Sequence, residues 1–483
     1  MTQFESDRTN SAAKPEAEVS AGWGELLQPQ NLAATTTLCL GVALFAFNEF
    51  FISTALPTAV GELGGAALLS WAFTLYLVFA ILGGMRAADL KLRFGARATL
   101  LASAGVFVAG TLLATAATSM EQVLAGRLLQ GAGEGVIVAL CYALIPELFP
   151  SRLVPKVFGA EAIVWAAAAF AGPVLAGGLT EYWSWRAAFF ISVPAAAIFA
   201  ALVLMIVPRR VPAPRARTAI PFVRLLAAVA AIVMISVSGA IDRVAPVALL
   251  LAASGTILVL VVRSDLRSSN PVLPGQAFGF DSPLGAGFWV VLLMPVAHAA
   301  PSVFLVYALQ HLWGLGPTAA GALSAIMAVS WSFSAIAVAS VRSRSTRHRL
   351  LLAGPALLAA GLAGLTLASA SGALWLVLTA QIAVGAGFGL SWGTLSQLMM
   401  DVSEDAERDR TSAMLPTLQS AGYAVGAAVF GLVANTMGFG EGATDAVLRT
   451  AMLAAFGGAS LVAAVSILCG LRMASLARAQ NRF

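Results

Sequence analysis

Two apolar stretches of this chain carry groups that are costly to keep in an apolar solvent. The first, LFAFNEFFISTALPTAVGELGG, sets Asn48 and Glu49 side by side in the middle of a helix-length run. A charged carboxylate there is expensive unless it faces a wet cavity or a partner, so Glu49 reads either as a protonatable coupling group or as one arm of a polar contact between helices. The second, EQVLAGRLLQGAGEGVIVALCYALIPELFP, holds Arg127, Gln130 and Glu134 at helical spacing on one face. Arg127 must look into a bundle and find acceptors. Two roles are open to it: a static pair with Glu134 that holds helices together, or a cation that adjusts the protonation of Glu134 or Glu49.

Further polar groups are sparse. His298 lies between Pro295 and Pro301, where it can titrate or simply hydrogen-bond across helices. Gln310 follows it further along the same run, and Gln381 and Gln419 are expected beside the C-terminal part of a cavity. Asn48 and Gln130 would add polarity, and Phe45, Phe51 and Trp165 an apolar wall. In GGMRAADLKLRFGARAT, Asp89 with Lys91, Arg93 and Arg97 around Gly95 forms either a solvated anchor or a salt-bridged latch between helix ends. Gly172, Pro173, Gly177 and Gly178 interrupt a fifth apolar run, giving a kink and a thin spot where another helix can approach. The GAGEG run at 131–135 has no preceding strand and suits close helix packing better than phosphate binding.

Composition says what must position these groups. Of 483 residues, 59% are hydrophobic and only 11% charged, against about 25% charged in a soluble domain, so the solvent around most of the chain is lipid. Fourteen apolar runs are long enough to cross a bilayer: near 34–58, 67–87, 98–117, 121–145, 158–180 and 187–207, then 222–240 and 244–262, then 285–309, 317–340, 350–369, 372–397, 411–434 and 449–470. Pro57 is expected to end or kink the first. The expected fold is an all-α polytopic membrane protein with two six-helix bundles and two additional linker helices. Its parts are a disordered or interfacial cytoplasmic leader at 1–33, the first bundle at 34–208, a basic linker with the extra pair and a second linker at 209–284, the second bundle at 285–471 and a cytoplasmic tail at 472–483. The extra pair, separated only by Ile241, Asp242 and Arg243, is the weakest element; a re-entrant hairpin, or twelve spans with a long loop, is the alternative.

Charge distribution orients the bundle. Arg186, Arg243 and Arg449 fall on one side and Arg127 inside a helix, while the other 24 of 28 Lys and Arg residues share the opposite side. Short basic loops mark the cytoplasmic face, which places both termini on the cytoplasmic side of a plasma (inner) membrane. The net charge of +5 is dispersed over these loops and carries no nucleic-acid signal. Cys39, Cys141 and Cys469 lie in apolar runs and read as small buried hydrophobes. A metal cluster, a nucleophile–base set and a nucleotide-binding motif are all missing from the sequence, which argues against an enzyme, a cofactor and an ATP-driven pump.

The ordered motifs resemble the major facilitator superfamily, and within it the fourteen-helix drug:proton antiporter branch. They are STALPTAV, LLSWAFTLYLV, GRLLQGAGEG with IPELFP, GPVLAGGL followed by SWRAAFFISVP, and YALQHLWGLGPTAAG. The resemblance runs from about residue 34 to 470. It implies a proton-coupling role for the fourth-helix element on Arg127, Gln130 and Gly131, an antiport element on Gly172, Pro173 and Gly177, and a gating turn on Gly95 and Arg97. Departures are visible: Leu92 stands where the family's loop aspartate falls, with Asp89 one turn earlier, Asn48 takes the usual first-helix aspartate position beside Glu49, and Ala176 replaces a glycine. The implied activity is export of amphipathic or aromatic drug-like compounds by alternating access, driven by the transmembrane proton gradient. The expected partners are a small amphipathic substrate, protons and membrane lipids, with the chain acting as a monomer. The competing readings are export of an endogenous lipid, siderophore or metabolite, and a membrane receptor or scaffold without turnover.

Overall fold

A computed structural model describes residues 22–209, 222–241, 243–269, 271–339, 341, 343–404 and 407–479. Most of the leader, the basic stretch at 210–221, Asp242 and the last residues of the tail lie outside the described residues.

Every regular element among the described residues is helical. A short 3-10 turn at Trp23–Leu27 precedes α1 (Pro29–Leu63), α2 (Leu69–Phe94), α3 (Ala96–Thr115), α4 (Met120–Leu148), α5 (Val154–Tyr182), α6 (Trp185–Phe190) and α7 (Ser192–Ile206). Then follow α8 (Phe222–Ser238), α9 (Val244–Leu266), α10 (Pro283–His311), α11 (Pro317–Val338), α12 (Arg344–Ser371), α13 (Leu374–Val402), α14 (Arg408–Thr436) and α15 (Asp445–Ala479). Helices α6 and α7 together make one span, Trp185–Ile206. Among the described residues, thirteen spans are long and apolar enough to cross a membrane, and the fourteenth is the shorter apolar α8. Helix α1 does not end at Pro57 but continues to Leu63.

Local sequence explains the ends. Prolines occupy the first turn of α1, α5, α10 and α11, where a missing N–H costs nothing. The Ser282 hydroxyl accepts from the Gly285 N–H at 2.9 Å and caps α10. Gly95, at φ +83°, reverses the chain between α2 and α3 in a single residue, a conformation that side-chain-bearing residues resist.

Helices α1 to α7 form one bundle and α10 to α15 the other. Close approach through glycine is the shared construction. In the first bundle, Gly131 and Gly135 of α4 lie against the carbonyls of Tyr76 and Ala80 of α2, leaving no room for a Cβ. In the second, Gly385 and Gly389 of α13 lie in the same way against the carbonyls of Met327 and Trp331 of α11. The bundles meet along α5 with α11 and α2 with α14. Helix α8 packs on α14 and α2, while α9 lies outside it and is almost wholly lipid-facing. The α8–α9 pair is held along its length: the Ser254 hydroxyl donates to the Ala231 carbonyl at 2.8 Å, and Arg224 pairs with Asp265 at the basic end.

Candidate functional site

Glu134 is fully buried in the first bundle, at the level where α4 passes α1 and α2. Its Oε2 accepts from the Asn48 side-chain amide at 2.7 Å and from the Tyr76 hydroxyl at 2.9 Å, while Oε1 has no hydrogen-bond partner. Arg127 lies two turns along α4, 1% exposed, with its guanidinium 3.9 Å from the Tyr76 ring centroid. Its hydrogen bonds go to Gln130 Oε1 at 2.8 Å and to the Ala72 carbonyl at 3.3 Å. Gln130 passes the chain on to the Thr111 hydroxyl of α3 at 2.9 Å. Arg127 therefore reaches Glu134 through the ring and hydroxyl of Tyr76 rather than by a direct ion pair. It stays within electrostatic range of both Glu134 and Glu49. Stacking a delocalised cation on a phenol face in a dry bundle is worth about 2 kcal/mol.

Glu49, next to Asn48, turns the other way. It lines a central cavity between the bundles with Phe50, Phe73 and Pro173 from the first half and His298, Gln381 and Tyr423 from the second. Consecutive residues of one helix thus serve two compartments: Asn48 holds the buried carboxylate and Glu49 faces the cavity. His298 shares a contact with the Ser302 hydroxyl at 3.1 Å and meets Phe388 and Tyr423 edge-on. Gln381 donates to the Ser324 carbonyl at 3.3 Å and keeps a buried Oε1 without a partner.

The remaining sequence candidates are placed as follows. Phe45 stacks on Tyr76 and meets Trp165 edge-on, so this aromatic group backs Glu134 instead of lining the cavity; Phe51 packs against Phe47. Gln310 Oε1 accepts from the Thr58 hydroxyl of the other half at 3.4 Å. Gly172 of α5 lies against Phe50, Pro173 presents its carbonyl to Gly321 of α11, and a Cβ on Gly177 would sit 2.6 Å from Thr318 Cα. The glycine–proline element is therefore the contact between bundles on the α5–α11 side. Asp89 binds Arg86 and Arg93, both on its own helix and both at 3.3 Å, and Arg97 lies beside an open cleft with Gly95.

The two ends of the bundle differ in what crosses the midline. At the less basic end, Glu181 of α5 accepts from the Thr318 N–H at the start of α11 at 3.0 Å. Glu441, between α14 and α15, accepts from the Gly65 N–H at 3.2 Å, and the Asn435 amide donates to the Ala67 carbonyl at 3.0 Å. All three bonds join one half to the other. At the basic end the ion pairs Lys91–Glu147, Arg152–Glu25 and Arg347–Asp401 each stay within one half.

Sequence reading singled out Glu49, Arg127, Gln130 and Glu134 but passed over Tyr76, Tyr423 and a further buried acid, Glu161. Tyr76 gives no signal in an apolar run. Glu161 gives the same signal as Glu49, a carboxylate in a membrane-length segment.

Two glycine-packed helical bundles, a cavity between them and buried ionisable groups beside it define a polytopic membrane transporter. The chain belongs to the major facilitator superfamily, whose family model matches residues 38–427. A protein of Mycobacterium tuberculosis named as a probable multidrug-efflux transporter is 34% identical over 440 residues, covering 88% of this chain and 92% of the relative. An uncharacterized transporter of Escherichia coli is 25% identical over 438 residues, covering 88% and 94%. Among solved structures, a peptide transporter in complex with sulfate superposes with TM-score 0.67 at 14% identity, covering 92% of this chain and 95% of that one. A D-xylose–proton symporter gives TM-score 0.63 at 16% identity, covering 92% and 97%. At such identities these structures share the fold. Family membership makes the chain a small-molecule transporter and not an enzyme.

Proposed function

We propose that this chain is a proton-coupled antiporter that exports amphipathic or aromatic compounds, cations among them, by alternating access. The observation that carries the reading is the arrangement of α1. Glu49 faces the cavity between the bundles, while its neighbour Asn48 holds Glu134 directly behind it. A carboxylate exposed to substrate and a second one wired to Arg127 through Tyr76 can exchange a proton for a cationic substrate: loading either acid removes the charge that holds the cation. The cavity walls are mostly aromatic or apolar, with Glu49, His298, Gln381 and the hydroxyls of Ser53, Ser302 and Ser324 as polar groups, and no described Lys or Arg lines it. That lining suits an amphipathic cation better than an acid.

The relative named for multidrug efflux supports the drug-export branch of this reading. Short basic loops assign the basic end to the cytoplasm, with both termini there. The bonds crossing the midline at the other end then correspond to a conformer closed toward the outside, and the unlinked Asp89 cluster to a released cytoplasmic latch. The energy source is the transmembrane proton gradient.

Purified protein in liposomes, given a hydrophobic cationic dye and an imposed pH gradient, tests this. Dye movement against its gradient, collapsing with a protonophore, is the expected result. Saturable dye binding without flux would favour a receptor, and gradient-driven movement of lipid but not dye would favour a lipid exporter.

A further inference from the structure

Among the described residues, Glu161 is the buried acid with neither carboxylate oxygen hydrogen-bonded. It lies on α5 with 1% of its surface exposed. The titratable side chains that face it are Cys39 from α1 and Cys141 and Tyr142 from α4. Helix α11, which packs against α5 further along, carries no titratable residue, and Arg186 of α6 is tied to Glu62 at the opposite end. At the Trp23–Leu27 turn, Glu25 is paired with Arg152, and Lys156 lies over the Trp23 ring. No described cation therefore neutralises Glu161.

Its depth is set by the helices around it. Cys141 lies seven residues beyond Glu134 on α4, about 10 Å toward the basic end at the helical rise per residue. Between the two levels stands the aromatic group of Trp165, Phe45 and Tyr76, with Trp165 one turn from Glu161 on α5 and Tyr76 bonded to Glu134. On the other side of Glu161, Tyr142 stacks on Phe158, three residues before it on α5. An ionised carboxylate buried without a partner is among the costliest groups a fold can hold, and it persists where it has something to bind. The titratable groups that face it are thiols and a phenol, none of them a cation, and what such a buried acid binds to lose its charge is a proton.

We propose that Glu161 is a second proton-binding carboxylate, placed between the central Glu49–Glu134 pair and the basic face and separated from the pair by the Tyr76–Phe45–Trp165 layer. It takes a proton to become the neutral acid and returns it to water at the basic end. Glu161 does not touch substrate, so it is a positioning station for protons. The inference rests on the antiport reading and adds a second site to it.

Infrared difference spectroscopy of the purified protein on a pH jump tests it without altering Glu161 first. A protonated-carboxyl band that remains in an E49Q/E134Q variant and disappears when E161Q is added is the expected result; a band already absent in E49Q/E134Q would overturn the proposal. In liposomes, E161Q should slow substrate-driven proton release at the basic face by roughly tenfold or more, with substrate affinity unchanged and the rate restored in E161D. Release at the wild-type rate in a folded E161Q protein would also overturn it. Absence of proton release in the unaltered protein would instead refute antiport itself.

Discussion

The two bundles carry the same five-residue frame with one difference: GAGEG at 131–135 in α4 and GAGFG at 385–389 in α13. In both, the outer glycines seat the helix on the carbonyls of a partner, α2 in one half and α11 in the other. The fourth position differs. Glu134 accepts hydrogen bonds from Asn48 and Tyr76, whereas Phe388 stacks on Trp331 and meets His298 edge-on. Four residues before the first glycine, Arg127 in one half corresponds to Gln381 in the other. The frame is therefore packing, and the inserted ionisable groups are chemistry. On the proposed antiport, the first half carries the proton chemistry, while the same position of the second half is buried aromatic packing.

The sharpest way to break this division is to exchange the roles. Glu134→Gln should lower gradient-driven flux by about 100-fold, whereas Phe388→Leu, at a buried packing position behind His298, should leave proton coupling intact. Flux in liposomes with and without the gradient separates the two. Arg127→Lys comes next. Lysine keeps the charge but cannot both lie flat on Tyr76 and bond Gln130 and the Ala72 carbonyl, so coupled flux should fall by roughly tenfold.

Packing should behave symmetrically where chemistry does not. Gly135→Val and Gly389→Val each drive a side chain into a backbone carbonyl, and each should destabilise its bundle by about 1–3 kcal/mol, read as a lower midpoint in detergent thermal unfolding. A large loss in one and none in the other would contradict the shared frame. The smallest effect is expected at the surface. Replacing Glu181 and Glu441 together by glutamine weakens two bonds across the less basic end and should raise labelling of a cysteine introduced at that end of the cavity by roughly two- to threefold.

Much of this was readable from the chain alone. Fourteen apolar runs and the sidedness of Arg and Lys require little more than bilayer thickness and charge. The common face of Arg127, Gln130 and Glu134 follows from helical period. What a period cannot give is rotation relative to a neighbour. Phe45 and Trp165 look like cavity aromatics in sequence but turn toward Tyr76, while Phe50 and Phe73 line the cavity. Partners across helices were equally hidden: nothing in LLSWAFTLYLV marks Tyr76 as the residue between Arg127 and Glu134. Pro57 does not end its helix, since a helix packed inside a bundle can carry a proline that an isolated helix would not.

The central claim is that the proton travels on the acids of the first half. It is tested most directly by adding substrate to weakly buffered purified protein and measuring proton release with a pH-sensitive dye, for the unaltered chain and for E49Q/E134Q. The account predicts release from the former and its loss, with substrate still bound, in the latter. Equal release from both would contradict it.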